Sequence, residues 1–275
     1  MVKQFVIFCF LVIALGLIAA SCASPKETTA PKPEASIKTP VPSAEVRPQR
    51  DSIRILSINA LHALRDEASV KRFASWIRSV QPDVVAVQQI ERPMEGKKDF
   101  DAVKELAVAL DMRPFFGMAR YYKGFDSGNA LFSTYPIHQS TVESLPVSKG
   151  KVRRSIAYSV IDVGLQSVGF ASTEIDDQSA SERKSQTRGL VELLPQFKDF
   201  PFVVCGEFYE RPSSPTVGAL KGRCVCANEL DGAPQDLTQH LYTAARTVTP
   251  VAARKVVNKD IHSDALVVTL RVVSQ

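Results

Sequence analysis

The sequence predicts an α/β domain over residues 52–275. Runs rich in β-branched residues recur along it, helical spacing of apolar residues separates several of them, and no internal linker or repeat interrupts the mixture. About 225 residues is enough for one large domain or two small ones. With 45% of the chain hydrophobic, a substantial core can be buried.

Each element has its own signal. Residues 53–58 (IRILSI) form a β-branched run that ends at Asn59 and reads as the first strand. Asp66 is placed to cap a helix in which Val70, Phe73, Ile77 and Val80 fall at helical spacing, and Pro82 stops it. Residues 84–87 read as a second strand, and Val103, Leu106, Ala107 and Leu110 mark a second amphipathic helix. Residues 129–133, 156–163 and 168–172 are strand-like. Leu190, Leu193, Leu194 and Phe197 mark a further helix, interrupted only by Gly189 near its middle. Residues 202–205 read as a short buried strand and residues 266–273 as the closing one.

The segment before residue 52 reads differently. Lys3 precedes an unbroken apolar run over residues 5–20, slightly short of the roughly 20 residues a membrane span needs. Small residues Ala19, Ala20 and Ser21 follow, where a secretory signal has its cleavage site, and then Cys22. This arrangement resembles the lipobox of bacterial lipoproteins, although Ala19 stands where Leu is more usual. Ordinary secretion with a nearby cut and an uncleaved anchor are the alternatives. The resemblance implies a signal peptide over residues 1–21, lipid attachment at Cys22, and a cell-envelope location with the membrane as a partner. Ala23 and Ser24 lack the Asp that often signals inner-membrane retention, so the expected site in a two-membrane cell is the outer membrane, facing the periplasm. Residues 22–51 carry Pro25, Pro31, Pro33, Pro40, Pro42 and Pro48 among polar residues, which suits an extended, solvated tether.

The net charge is +5, yet Lys and Arg are dispersed among acids rather than clustered in a stripe, so nucleic acid is not the expected partner. Cys205, Cys224 and Cys226 remain once Cys9 and Cys22 are set aside, and three thiols cannot all pair within one chain. Cys205 bonded to Cys224 or Cys226 fits an oxidising compartment. A buried free thiol at Cys205 fits as well, and no zinc-type spacing is present.

Several strand ends carry polar residues in a recurring order. QPDVVAVQQ at residues 81–89 resembles "PDVVALQE", and SGNALFSTYPI at 127–137 resembles "YGNAILSRYPI". Arg153 and Arg154 with the following strand resemble "RRALL". STEID at 172–176 lies where "NTHLD" is expected, with Arg183 and Gln186 resembling the helix beyond it. GEFY at 206–209 stands where "GDFN" is expected, and SDA at 263–265 where "SDH" is expected. With Asn59 at the end of strand one, these motifs in this order resemble the endonuclease/exonuclease/phosphatase family. The resemblance covers nearly the whole domain. It implies the DNase I-like four-layer sandwich, two packed mixed β-sheets flanked by helices.

That family's reaction is metal-assisted attack of water on a phosphate ester, so the resemblance implies a divalent cation, Mg²⁺ or Mn²⁺, if the site is active. Family positions fall on Asn59, Glu174, Glu207 and Asp264 for catalysis, on Asn129, Arg154 and Tyr209 for substrate, and on Gln89, Glu207 and Asp264 for metal. Gln89 replaces a metal-binding Glu and brings no charge. Glu174 replaces a His, setting a carboxylate where a cation would face phosphate. Glu207 replaces an Asp with a longer arm, and a misplacement of about 1 Å can cost on the order of a hundredfold in rate. Tyr209 replaces an Asn, and Ala265 replaces the terminal His. His262 and His62 lie near these positions, but a lone histidine is more often solvated or packed, and both are read that way. Asn59 as a turn cap, Gly128 and Asn129 as turn residues, and Asp264 as an exposed loop residue are the plain alternatives for the survivors.

Two functional expectations follow. The first is a family member with a degenerate site, kept for binding or scaffolding in the envelope, its partner an envelope protein or a phosphate-containing ligand. The second is a metal-dependent phosphoesterase whose site is rebuilt from Glu174, Glu207 and Asp264.

Overall fold

The computed structural model describes residues 51–197, 199–244 and 247–274. The expected signal segment (1–21), the lipid site at Cys22 and all of the 22–51 linker except Asp51 lie outside the described residues. In chain order the first half comprises β1 (Ser52–Asn59), α1 (Glu67–Val80), β2 (Val84–Pro93), α2 (Ala102–Leu110), β3 (Arg113–Tyr122), β4 (Phe125–Ser133) and β5 (Ile137–Ser144). The second half comprises β6 (Ser155–Asp162), β7 (Ser167–Glu174), α3 (Ala180–Leu193), β8 (Phe202–Glu207), α4 (Gly218–Lys221), β9 (Val225–Cys226), β10 (Gln239–Thr243), β11 (Val248–Asn258) and β12 (Ser263–Val272). Among the described residues, no helix is long and apolar enough to cross a membrane.

Two six-stranded sheets result, ordered β11-β12-β1-β2-β4-β3 and β5-β6-β7-β8-β10-β9. Each is mixed: β1 with β2 and β7 with β8 run parallel, and the other pairs are antiparallel. The period-2 alternation of strand side chains sorts the core into three apolar layers. Ile53, Ile55, Val84, Ala86, Val168, Phe170, Val203 and Leu241 meet between the sheets. Leu56, Ile58, Val85 and Val87 face the other way, against Val70, Phe73 and Ile77 of α1 and Leu106 of α2. Ala171 and Val204 pack with Leu190 of α3 and Leu220 of α4. The order helix, sheet, sheet, helix is the expected four-layer sandwich.

Local chemistry fixes the elements. Asp66 caps α1 by accepting from Ser69 N while Ser69 reaches back to the cap, a reciprocal pair typically worth about 1 kcal/mol. Gln81 then adopts the left-handed conformation ahead of Pro82 and ends the helix.

The structure corrects two local expectations. The helix marked by Leu190, Leu193 and Leu194 around Gly189 is the 14-residue α3, which begins at Ala180 under the Ser179 cap. It gives way to a 3-10 turn over Leu194–Phe197, where Pro195 removes a backbone donor. Gly189 is not an interruption: a Cβ there would lie 2.5 Å from Pro146 Cδ, so it is a point of close packing. Gly128 and Asn129 are not turn residues either, since they lie inside β4 opposite Gly117 and Met118. The three cysteines are free thiols, with Cys205 buried on β8 and pushed up to about 12 by burial.

Candidate active site

Along the face between the sheets, apolar side chains give way to polar ones toward the carboxyl ends of the two parallel strand pairs. Ser57 and Asn59 follow Ile53 and Ile55 on β1, and Ser172 and Glu174 follow Val168 and Phe170 on β7. The registers set Asn59 beside Gln88 and Glu174 beside Glu207. Ligand sites of α/β sheets form at such carboxyl edges.

The deeper polar layer is a closed network. Ser57 Oγ donates to Gln239 Oε1 at 2.6 Å, and Gln88 Nε2 donates to Ser172 Oγ at 3.1 Å. Gln239 Nε2 reaches both Gln88 Oε1 at 3.1 Å and Glu207 Oε2 at 3.0 Å. The β2 register shifts between Val87 and Ile90, and this bulge directs Gln88 and Gln89 toward the site, Gln89 with φ 51°. Glu207 is buried, which pushes its carboxyl up, although Thr238, the Tyr209 backbone N–H and Gln239 oppose the shift.

The outer layer centres on Tyr209, which follows β8 with φ 50°. Its hydroxyl donates to Glu174 Oε1 at 2.8 Å and accepts from Asn59 Nδ2 at 3.2 Å and Gln89 Nε2 at 3.1 Å. Burial, then the neighbouring Glu174 carboxylate, hold this phenol far above its ordinary range. Gln89 Nε2 also donates to Glu174 Oε1. Arg154, with a side chain 2% exposed, pairs with Glu174 Oε2 and with Asp177 Oδ1 at 2.8 Å, and Arg120 Nη1 lies 3.9 Å from Glu174 Oε2. Asn59 is also a turn cap, since its Oδ1 accepts from Leu61 N at 3.0 Å. Asn129 Nδ2 donates to Ser155 O at 2.9 Å. Asn129 Oδ1, Arg154 Nε and Ser155 Oγ are buried and have no hydrogen-bond partner among the described residues.

Thus Asn59, Gln89, Glu174, Tyr209 and Arg154 are joined directly, and Glu207 joins through Gln239 and the Tyr209 backbone N–H, 3.1 Å from Glu207 Oε1. Asp264 stands on β12, 45% exposed at its side chain and ion-paired with Lys255. The carboxylate triad expected from Glu174, Glu207 and Asp264 is therefore not assembled. Among the described residues, no group of three or more His, Cys, Asp or Glu side chains is placed to hold a metal ion.

The donor set fits a divalent cation poorly. Gln89 turns N–H groups toward Glu174 and Tyr209, Glu174 is matched to Arg154, and Glu207 oxygens already accept from neutral donors. Such a set gives a hard cation too few free anionic oxygens. His262 is exposed, in keeping with its plain reading. Sequence reasoning missed Gln239, Arg120, Asp177 and the pairing of His62 with Glu91, 3.0 Å from Nδ1 to Oε1.

Two mixed six-stranded sheets packed between helices define a DNase I-like α/β sandwich, and the sequence match narrows it. Residues 56–223 match the model of the Endonuclease/Exonuclease/phosphatase family, and the chain belongs to that family. Solved structures share the fold at low identity. The endonuclease/exonuclease/phosphatase from Beutenbergia cavernae superposes with a TM-score of 0.63 at 21% identity, covering 81% of this chain and 72% of that one. The human Nocturnin catalytic domain with bound sulfate gives 0.66 at 17% identity, over 81% and 94% of the two chains. The family protein from Leptotrichia buccalis gives 0.62 at 16%, over 80% and 99%. No curated protein sequence matches the chain.

Proposed function

We propose that this chain is a catalytically silent member of the family, retained as a binding domain that its leader exports and Cys22 tethers in the cell envelope. The observation that carries the reading is the Tyr209 hydroxyl, bonded to Asn59, Gln89 and Glu174 in the middle of the former catalytic positions. The Arg154–Glu174 pair consumes a cation that would otherwise be free to meet an anion. General acid–base groups contribute typically about 10²–10⁴-fold each, and Ala265, at the position of the family's terminal His, supplies none. Arg154 Nε and Asn129 Oδ1 keep hydrogen-bonding capacity that suits retained binding better than turnover.

The purified full chain should hydrolyse neither phosphodiesters nor phosphomonoesters above background with Mg²⁺, Mn²⁺ or Ca²⁺. Metal-dependent turnover that disappears in Glu207→Ala or Asp264→Ala would overturn the reading.

A further inference from the structure

At the amino ends of β1 and β2, opposite the edge that carries the candidate active site, lies a cavity of about 470 Å³. Its position follows from the strand registers. Arg54, near the start of β1, stands opposite Thr269 of β12, and Asp83 immediately precedes Val84, which pairs with Ser133 at the end of β4. Ile77 near the end of α1, with Leu110 and Met112 at the end of α2, gives the cavity its apolar wall. Sites for small molecules commonly measure about 300–1,000 Å³ and set a few fixed polar groups among apolar walls.

The polar groups here are held in place. Arg54 Nη1 donates to carbonyls at the carboxyl end of α1, Val80 O at 2.9 Å and Gln81 O at 3.4 Å. Arg78, exposed in the last turn of α1, reaches across to Ala109 O of α2. Each guanidinium is thus anchored through one nitrogen, and Nε and Nη2 of both have no protein acceptor among the described residues. Asp83 is 6% exposed. Its Oδ2 accepts from Arg54 N at 2.8 Å, and among the described residues no cation is ion-paired with it.

We propose that this cavity binds a small zwitterion with an apolar body, such as an apolar α-amino acid. Charge decides the class. The two guanidiniums face one carboxylate and two helix carboxyl termini, each terminus equivalent to roughly half a negative charge. The lining is therefore close to neutral overall but divided, with donors on the helix side and a buried acceptor at the strand edge. A simple anion would meet Asp83 as a like charge, and a simple cation would meet Arg54 and Arg78. A ligand bearing both signs matches both sides. Its planar carboxylate accepts the spare N–H groups of the guanidiniums, whose fork suits such pairing. Its ammonium gives Asp83 the cation that a buried carboxylate otherwise lacks at a cost. Its side chain covers Ile77, Leu110 and Met112.

The inference goes beyond the silent-site reading and does not depend on it, because the two sites lie at opposite ends of the same strands. Phosphoesterase turnover would leave it standing. Saturation-transfer NMR on the full chain in a neutral maltoside detergent tests it with three probes. L-leucine carries both charges, N-acetyl-L-leucine lacks the ammonium, and L-leucinamide lacks the carboxylate. L-leucine should bind saturably, and each blocked probe should bind at least roughly tenfold more weakly, the scale of one lost charge-assisted hydrogen bond. Arg78→Gln, an exposed change, should weaken L-leucine by a similar factor, and Thr269→Phe, which narrows the cavity from β12, should abolish its binding. No saturable signal up to about 10 mM, a blocked probe that equals L-leucine, or binding undiminished in either folded variant overturns the proposal. Thermal melts establish that each variant is folded, and Arg78→Gln decides alone if Thr269→Phe is not.

Discussion

Tyr209 ties several residues of the candidate site together. Its hydroxyl satisfies Asn59, Gln89 and Glu174, and it sits one residue beyond Phe208, which is buried against His240 and Tyr242. Arg183 steadies the same loop, with Nε 2.8 Å from Glu210 Oε1 and Nη1 3.2 Å from Asp176 O. Tyr209→Phe keeps the ring and removes the hydroxyl, leaving two donors and a carboxylate oxygen with fewer partners in a buried setting. Unsatisfied buried groups cost about 1–3 kcal/mol, so urea unfolding should show a loss in that range. An unchanged midpoint would mean that the hydroxyl contributes shape alone.

At the scale of elements, β7 and β8 approach so closely at the site that only glycine fits. A Cβ on Gly206 would lie 1.8 Å from Thr173 O, and its φ is 154°. Gly206→Ala should therefore destabilise the protein by at least about 3 kcal/mol, in the range reserved for severe backbone or packing conflicts. Gly218→Ala, with nothing within 4 Å of the added carbon, should be neutral or slightly stabilising, by up to about 1 kcal/mol. Parallel thermal melts of the two variants measure the contrast. The contrast also shows what the sequence could convey. β1, α1, β2 and α2 were legible because alternation, helical spacing and caps agree within each segment. β10 was not, since Gln239 and His240 are buried polar residues and the strand has no apolar signature. β11 is an edge strand with Pro250 at its bulge and exposed Val251 and Val257, so inward alternation is faint. The family positions on β1, β2, β7 and β8 were legible through their motifs. Arg120 and Gln239 were not, because their partners Glu174 and Glu207 are 54 and 32 residues away and meet only through tertiary packing.

For the whole molecule, the pattern of exchanges and the proposed tether bear on each other. A freely diffusing hydrolase gains from turnover, whereas a domain held at a membrane gains from raised local concentration, which strengthens weak binding without any new contact. Under the silent-binder proposal, occupation of the candidate site by the Tyr209 hydroxyl and the Arg154–Glu174 pair costs such a domain nothing if its task is occupancy. Under that proposal, lipid on Cys22 matters more to function than any residue of the old active site. A single acyl chain anchors only marginally and stable anchoring takes at least two, so Cys22→Ser, which removes every thiol-linked or amine-linked lipid by preventing modification, should move the protein from the membrane fraction to the soluble fraction. Domain stability should be unchanged. Cell fractionation together with mass measurement of the mature chain checks the tether: an unmodified Cys22 would remove the lipid and with it the reason for favouring occupancy over turnover, and a variant that stays with the membrane would show that Cys22 is not what holds the domain there.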